Sequence, residues 1–244
     1  MQIITVGNQK GGTAKTATAA AIAQAGAAQG LKVLAIDLDP QANLSFALRA
    51  DTRSKGSYEL LEGEPARQTI QESPQGIAVI ASSRNLATVT TATGSAKRLQ
   101  KALQPIRGIY DLIVIDTPPT AGELLYNALQ ASTGLVIPLL ADIFGLQGLY
   151  QIADTAQQFT RSNPELQVKG FVLTRYDSRS SLTKAMKANI ATKAAELGIP
   201  CLAEIREGVA IREAAALQQS LFEYAPKSKP AQDYMKLYEM LMEG

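Results

Sequence analysis

Ten residues, Gly7-Asn8-Gln9-Lys10-Gly11-Gly12-Thr13-Ala14-Lys15-Thr16, stand between a short apolar run and an alanine-rich one. The mixture of glycine, lysine and hydroxyl suits phosphate chemistry. Glycines let the backbone curl so that successive N–H groups face an anion. A helix opening at Lys15 adds the partial positive charge of its N-terminus. Lys15 then supplies a full charge to the β- and γ-phosphates, and the Thr16 hydroxyl can ligate Mg²⁺. The plain pattern G-x-x-x-x-G-K-[ST] is not met, because Gln9 and Ala14 occupy its glycine positions. A glycine-rich turn that binds nothing is the alternative, and further acids decide between the two.

Three acids answer. Val33-Leu34-Ala35-Ile36-Asp37-Leu38-Asp39-Pro40-Gln41 is an apolar run closed by paired carboxylates, and Leu112-Ile113-Val114-Ile115-Asp116-Thr117 is another closed by one. An apolar strand ending in Asp is the pattern that sets a carboxylate beside a nucleotide-bound Mg²⁺. In an open α/β sheet, ligands sit at the carboxyl ends of the strands. Asp37, Asp39, Asp116 and the loop over 8–16 are therefore expected to converge.

The elements needed to hold them are legible as alternation. Apolar runs at 3–6, 31–36, 76–80, 111–115, 134–140, 168–173 and 201–205 read as strands with apolar residues on both faces, as parallel strands covered by helices require. Between them lie helical stretches, among them 15–29, which stops before Gly30. Another follows the sixth strand, with Leu182, Met186, Ile190 and Leu197 marking its apolar face. The pattern predicts an α/β fold, a doubly wound and mostly parallel sheet with helices on both faces. It forms one domain over 1–244, with a loop at 51–57 inside it.

Composition narrows the chemistry. The chain has no His and one Cys, Cys201, which excludes a Ser-His-Asp triad, an intrachain disulfide and a Cys/His zinc site. Any metal is expected to be a hard, oxygen-bound ion. A net charge of +2 makes any nucleic-acid surface a local patch rather than a property of the whole molecule. No apolar run approaches the about 20 residues of a membrane span, and no leader is visible, so a soluble cytoplasmic chain is expected.

These motifs resemble a known family. Lys10-Gly11-Gly12-Thr13-Ala14-Lys15-Thr16 is similar to the deviant Walker A motif K-G-G-x-x-K-[ST], and Asp37-Leu38-Asp39-Pro40-Gln41-Ala42-Asn43 to the switch segment D-x-D-P-Q-x-[NS]. Both belong to the ParA-type partition ATPases, within the wider group that includes MinD. The stretches Phe144 to Leu149, Leu173 to Leu182 and Phe222 to Tyr234 extend the resemblance almost end to end. It departs at Ala14, where glycine is usual, and at Arg206, where the run I-P-R-x-V has proline. A small residue fits at 14 if its φ is negative, and binding is expected to survive.

The resemblance implies ATP and Mg²⁺ as cofactors. It assigns nucleotide contacts to Lys10, Gly11, Gly12, Thr13, Ala14, Lys15, Thr16 and Ala17, and on the other side to Arg175, Ile205 and Arg206. Thr16, Asp37 and Asp116 become the metal-side residues, and Lys10, Lys15 and Asp39 the catalytic ones. Lys10 reaches across a homodimer to the partner's phosphates, and Asp39 orients the attacking water. Residues 39–43 and 116–123 sense the γ-phosphate. ATP-bound dimers of such proteins bind DNA without sequence preference and answer to a centromere-binding ParB-type partner. Here Lys184 and Lys187, three apart on one helix face, with Arg206 and Arg212, form the candidate DNA patch, and a nucleoid-associated location follows. With nine residues before Lys10, operator binding through an N-terminal extension is not expected. A MinD-like membrane regulator is the rival reading. It needs a basic amphipathic C-terminal helix, whereas 233–244 carries three acids and one lysine and is expected to pack on the domain. Metabolic or reductase enzymes on the same fold are further rivals. The nitrogenase iron-protein kind needs two cluster cysteines per chain.

Overall fold

The computed structural model describes residues 1–89 and 95–243. Gly244, the last residue of the tail segment considered above, lies outside them. Strand β1 (Gln2–Val6) leads through the glycine-rich loop into helix α1 (Lys15–Ala28). α1 is alanine-rich because it is enclosed: Ala19, Ala21, Ala23 and Ala25 are almost fully buried. A helix apolar all round must be covered all round. Its end is a Schellman turn, with Gly30 at φ +81°, Gly30 N–H on Ala27 O at 2.9 Å and Leu31 N–H on Gly26 O at 3.0 Å.

β2 (Val33–Asp37), α2 (Asn43–Ala47), α3 (Ser57–Leu61) and α4 (Ala66–Thr69) follow, then β3 (Ile70–Glu72) and β4 (Ala78–Ile80). α5 (Arg98–Leu103), β5 (Leu112–Asp116), α6 (Glu123–Ala131), β6 (Gly134–Leu140) and α7 (Ile143–Thr160) form the centre. β7 (Gln167–Tyr176), α8 (Ser181–Glu196), β8 (Cys201–Arg206), α9 (Val209–Ala216), α10 (Leu221–Tyr224) and α11 (Lys229–Glu243) complete the chain. The sheet order is β3-β4-β2-β5-β1-β6-β7-β8. Every neighbouring pair is parallel except β3 with β4. The doubly wound sheet expected from the apolar runs is therefore present. The antiparallel edge strand β3 is an addition, three half-covered residues with no apolar run to announce them.

Period-two alternation sorts the strand side chains onto two faces. Ile4, Val6, Ala35, Leu112 and Val114 join α1 and α11 on one face, and Ile3, Ile36, Ile113 and Ile115 join α3, α5 and α6 on the other. Tyr234, Leu237, Tyr238 and Leu241 of α11 are buried in the first of these clusters, so the C-terminal helix spends its apolar face on α1. The apolar face expected for α8 is buried only in part. Ile190 and Ala194 pack with α7, while Leu182 is 68% and Leu197 43% exposed. Both sit at the helix ends, beyond the reach of the α7 packing. No helix among the described residues is long and apolar enough to cross a membrane.

Candidate active site

Register fixes the site. β5 lies between β1 and β2, and Val6, Asp116 and Asp37 are aligned partners across the three strands. The loop that leaves Val6 therefore rises beside the two carboxylates. This is where the chain turns one way from β1 to β2 and the other way from β5 to β6, the crevice that ligands use in such sheets.

The loop is pinned from several sides. Asn8 Nδ2–H donates to Pro138 O at 2.7 Å, and Asn8 Oδ1 accepts Lys10 N–H at 3.0 Å. Gln9 Nε2–H donates to Thr155 Oγ1 at 2.6 Å, and Thr174 Oγ1–H to Thr13 O at 3.1 Å. Gly12 has φ +75°, as the curl requires, and Ala14 has φ +61°. The negative φ expected at Ala14 is thus corrected: the turn into α1 is left-handed there, and a methyl group occupies a conformation that glycine adopts without strain. Lys15 is buried, with its ammonium on Lys10 O at 2.9 Å. Burial lowers its pKa, opposed by the charges of Asp116 and Asp39.

The acids divide their work. Asp37 is fully buried and both its oxygens are taken. Oδ1 accepts Asp39 N–H at 3.0 Å, and Oδ2 accepts Ser45 N–H at 2.8 Å and Ser45 Oγ–H at 2.7 Å. Burial pushes its pKa up to about 6, against the pull of the Ser45 bonds. Asp116 is also fully buried. Its Oδ1 accepts Thr117 N–H, while Oδ2 has no hydrogen-bond partner among the described residues. Burial first, then the charge of Asp37, raises its pKa well above the carboxylate range, opposed by Thr16 and Lys15. An orphaned buried carboxylate oxygen beside Lys15 and Thr16 is what a cation site presents. Among the described residues no group of three or more Cys, Asp or Glu side chains forms a cage. That donor set fits Mg²⁺, which takes few carboxylates and fills its shell from phosphate and water. Asp39 closes a turn, its Oδ1 accepting Gln41 N–H at 2.9 Å and its carbonyl accepting Ser82 Oγ–H at 2.6 Å.

Thr16 and Ala17 line a cavity of about 360 Å³ with Ala14, Asn43, Phe46 and Arg212. Arg212 therefore faces the α1 side, while Lys187 lines a different cavity with Cys201, Glu204 and Asp233. Arg175, at φ +52°, pairs with Glu207 at 3.3 Å and ties the β7 end to the loop after β8. The Ile205 side chain is core. Arg206 is held by Asp233, through Nε–H at 2.8 Å and Nη2–H at 2.6 Å. Lys187 is ion-paired with Glu204 and lies over the Tyr176 ring, whereas Lys184 is exposed. The structure thus brings the loop and the acids together, and it spreads the four basic candidates over several surroundings.

The sequence alone assigns no role to four participants. Asn8 anchors the loop to β6, and Ser45 and Ser82 anchor the segment after Asp39. Asp142 is the fourth, with Nζ of Lys10 at 3.1 and 3.2 Å from its two oxygens. Asp142 also caps α7, accepting Gly145 N–H at 2.7 Å. An acid just before a helix was the available signal, but its tie to Lys10 forms only when β1 and β6 pair.

The family model described as an AAA domain matches residues 1–168. The chromosome partitioning protein ParA of Caulobacter vibrioides is 33% identical over 97% of this chain and 92% of its own length. The chromosome-partitioning ATPase Soj of Thermus thermophilus is 34% identical over 98% and 94%. Among solved structures, cobyrinic acid a,c-diamide synthase from Mycobacterium smegmatis with bound ADP and magnesium superposes with a TM-score of 0.85 at 29% identity, covering 100% of this chain and 94% of that one.

Proposed function

This chain belongs to the AAA-domain family of ParA- and Soj-type ATPases, and on that premise we propose that it is a DNA-partition switch. ATP with Mg²⁺ drives a sandwich homodimer that binds DNA without sequence preference, and hydrolysis resets it. What supports the reading is the convergence of Lys15, Asp116 and Asp39 at one crevice, joined to the near end-to-end likeness to partition proteins.

Each residue has a task that its surroundings suit. Lys15 holds the β- and γ-phosphates, and its burial strengthens that attraction. Thr16 and the free oxygen of Asp116 hold the metal side of the nucleotide. Mg²⁺, when bound, neutralises charge on the transferring phosphoryl. Asp39 orients water without acting as a strong base, since phosphoryl transfer depends on positioning and charge. Asp37 holds the frame of the switch, and Lys10 completes the partner's site in trans. Lys184, exposed on α8, is the first DNA contact to test, with Arg212, Arg206 and Lys187 behind it. A ParB-type protein is the expected partner, and the nucleoid the expected location. α11, the helix that a membrane role would use, buries its apolar face against the domain.

Retention on DNA is the test, measured with no nucleotide, ADP and ATP over a salt series. Retention should need ATP, fall steeply with salt as counterions return to the phosphates, and weaken in Lys184→Glu. Retention indifferent to nucleotide would overturn the partition reading and return the chain to the small-molecule ATPases of its fold.

A further inference from the structure

We propose that Asp142 and Phe144 form a socket within one subunit that holds Lys10 until the partner's phosphates outcompete it. On this view the socket sets the ATP threshold for dimerisation. The inference rests on the reading of Lys10 as a residue acting in trans.

The backbone of Lys10 has little freedom. Its N–H is held by Asn8, which is itself fixed to Pro138 of β6, and its carbonyl accepts the Lys15 ammonium. Only the side chain can choose a direction. It lies with its ammonium between both oxygens of Asp142 and 4.7 Å from the centre of the Phe144 ring. An ammonium over an aromatic face is held by the ring quadrupole.

The socket itself is rigid. Asp142 is fixed by its bond to Gly145 N–H, and a Cβ at Gly145 would lie 2.1 Å from Leu140 O, so the turn from β6 into α7 admits no larger residue. Phe144 is 58% exposed, costly for a large apolar ring unless its face has a use. The ion pair is weaker than it is well placed. Lys10 is 28% and Asp142 38% exposed, and a partly solvated pair yields to a stronger anion. A triphosphate offers more charge than one carboxylate. Loss of the γ-phosphate after hydrolysis tips the balance back, so the same socket recaptures Lys10 and helps the dimer open.

Asp142→Asn isolates the charge. Asparagine caps helices as well as aspartate, so the turn is kept while the ion pair is lost. Dimerisation is followed by size-exclusion with light scattering against a non-hydrolysable ATP analogue. The midpoint should fall about two- to fivefold, the worth of one partly exposed ion pair. Phe144→Leu should move it the same way by less, and Asp142→Asn should bring no gain in a Lys10→Ala background. A midpoint unchanged or raised in Asp142→Asn, with melting like the parent's, overturns the socket while Lys10→Ala remains unable to dimerise. If Lys10→Ala itself dimerises and hydrolyses normally, the trans reading fails first and the socket with it.

Discussion

Within the loop over 7–16, Ala14 is the one residue whose backbone disagrees with its side chain. Its φ of +61° lies in the left-handed region, where a Cβ crowds the following carbonyl at a cost of about 1–2 kcal/mol. Glycine removes that clash but makes the unfolded chain more flexible, which returns part of the gain. Ala14→Gly is therefore expected to stabilise the nucleotide-free protein by about 1 kcal/mol, or roughly 2–4 °C in melting temperature for a chain of this size. ATP affinity should be equal or tighter. A thermal melt compares the two proteins, and a lower melting temperature would show that the turn carries no strain. Lys15, Thr16 and Asp116 were legible one by one, since a glycine-rich turn before a helix and an acid closing an apolar run are both local patterns. The sign of φ at Ala14 was not, because it depends on how the loop is pulled onto β6 and α7 by Asn8 and Gln9. Asp142 was hidden for the same reason: its partner Lys10 is 132 positions away.

At the scale of elements, α2 matters most, because it continues the segment that starts at Asp39, the switch of the proposed reading. It is too short to be stable alone, and buried serines hold it. Ser45 gives its N–H and Oγ–H to Asp37 and accepts Ser82 N–H at 2.8 Å, while Ser82 Oγ–H reaches back to Asp39 O. Ser45→Ala deletes one bond to Asp37 and leaves the buried Ser82 N–H without its partner. A buried donor left unsatisfied costs about 1–3 kcal/mol. The expected result is a loss of that size in denaturant unfolding, with hydrolysis falling more than nucleotide affinity, since Lys15 and Asp116 are untouched. Unchanged stability would mean that water replaces the serine. Such ties are invisible in sequence, because serines 37 positions apart meet only when β2 and β4 pair. The central strands β1, β2, β5 and β6 were legible because both faces are buried and their runs are unbroken. β3 was not, being three residues with one neighbour, and α8 was over-read because its end leucines are not covered.

If the chain is the proposed partition switch, the whole molecule predicts that hydrolysis and assembly can be separated. Three strands end in one row, and the loop, the two buried acids and the switch all rise from it, while α1 carries the loop and is clasped from behind by α11. Asp39 lies two residues beyond the β2 end of that row. Its backbone N–H is bound to Asp37 and its carbonyl to Ser82, so truncating the side chain leaves the frame standing. Among the described residues, the only hydrogen bond its carboxylate makes is to Gln41 N–H. Asp39→Ala should therefore bind ATP through Lys15, Thr16 and Asp116 and still dimerise. Without a carboxylate to orient water, hydrolysis should fall by at least about tenfold, about 1.4 kcal/mol in the barrier. Two weak basic patches joined in a dimer hold DNA far better than either alone, so the slowed protein should stay on DNA longer than the parent. In a cell that trapped form should bind DNA yet fail to segregate it. Size-exclusion of Asp39→Ala with ATP decides the matter: a dimer supports a residue that times the switch, and a monomer would show that Asp39 builds the site instead.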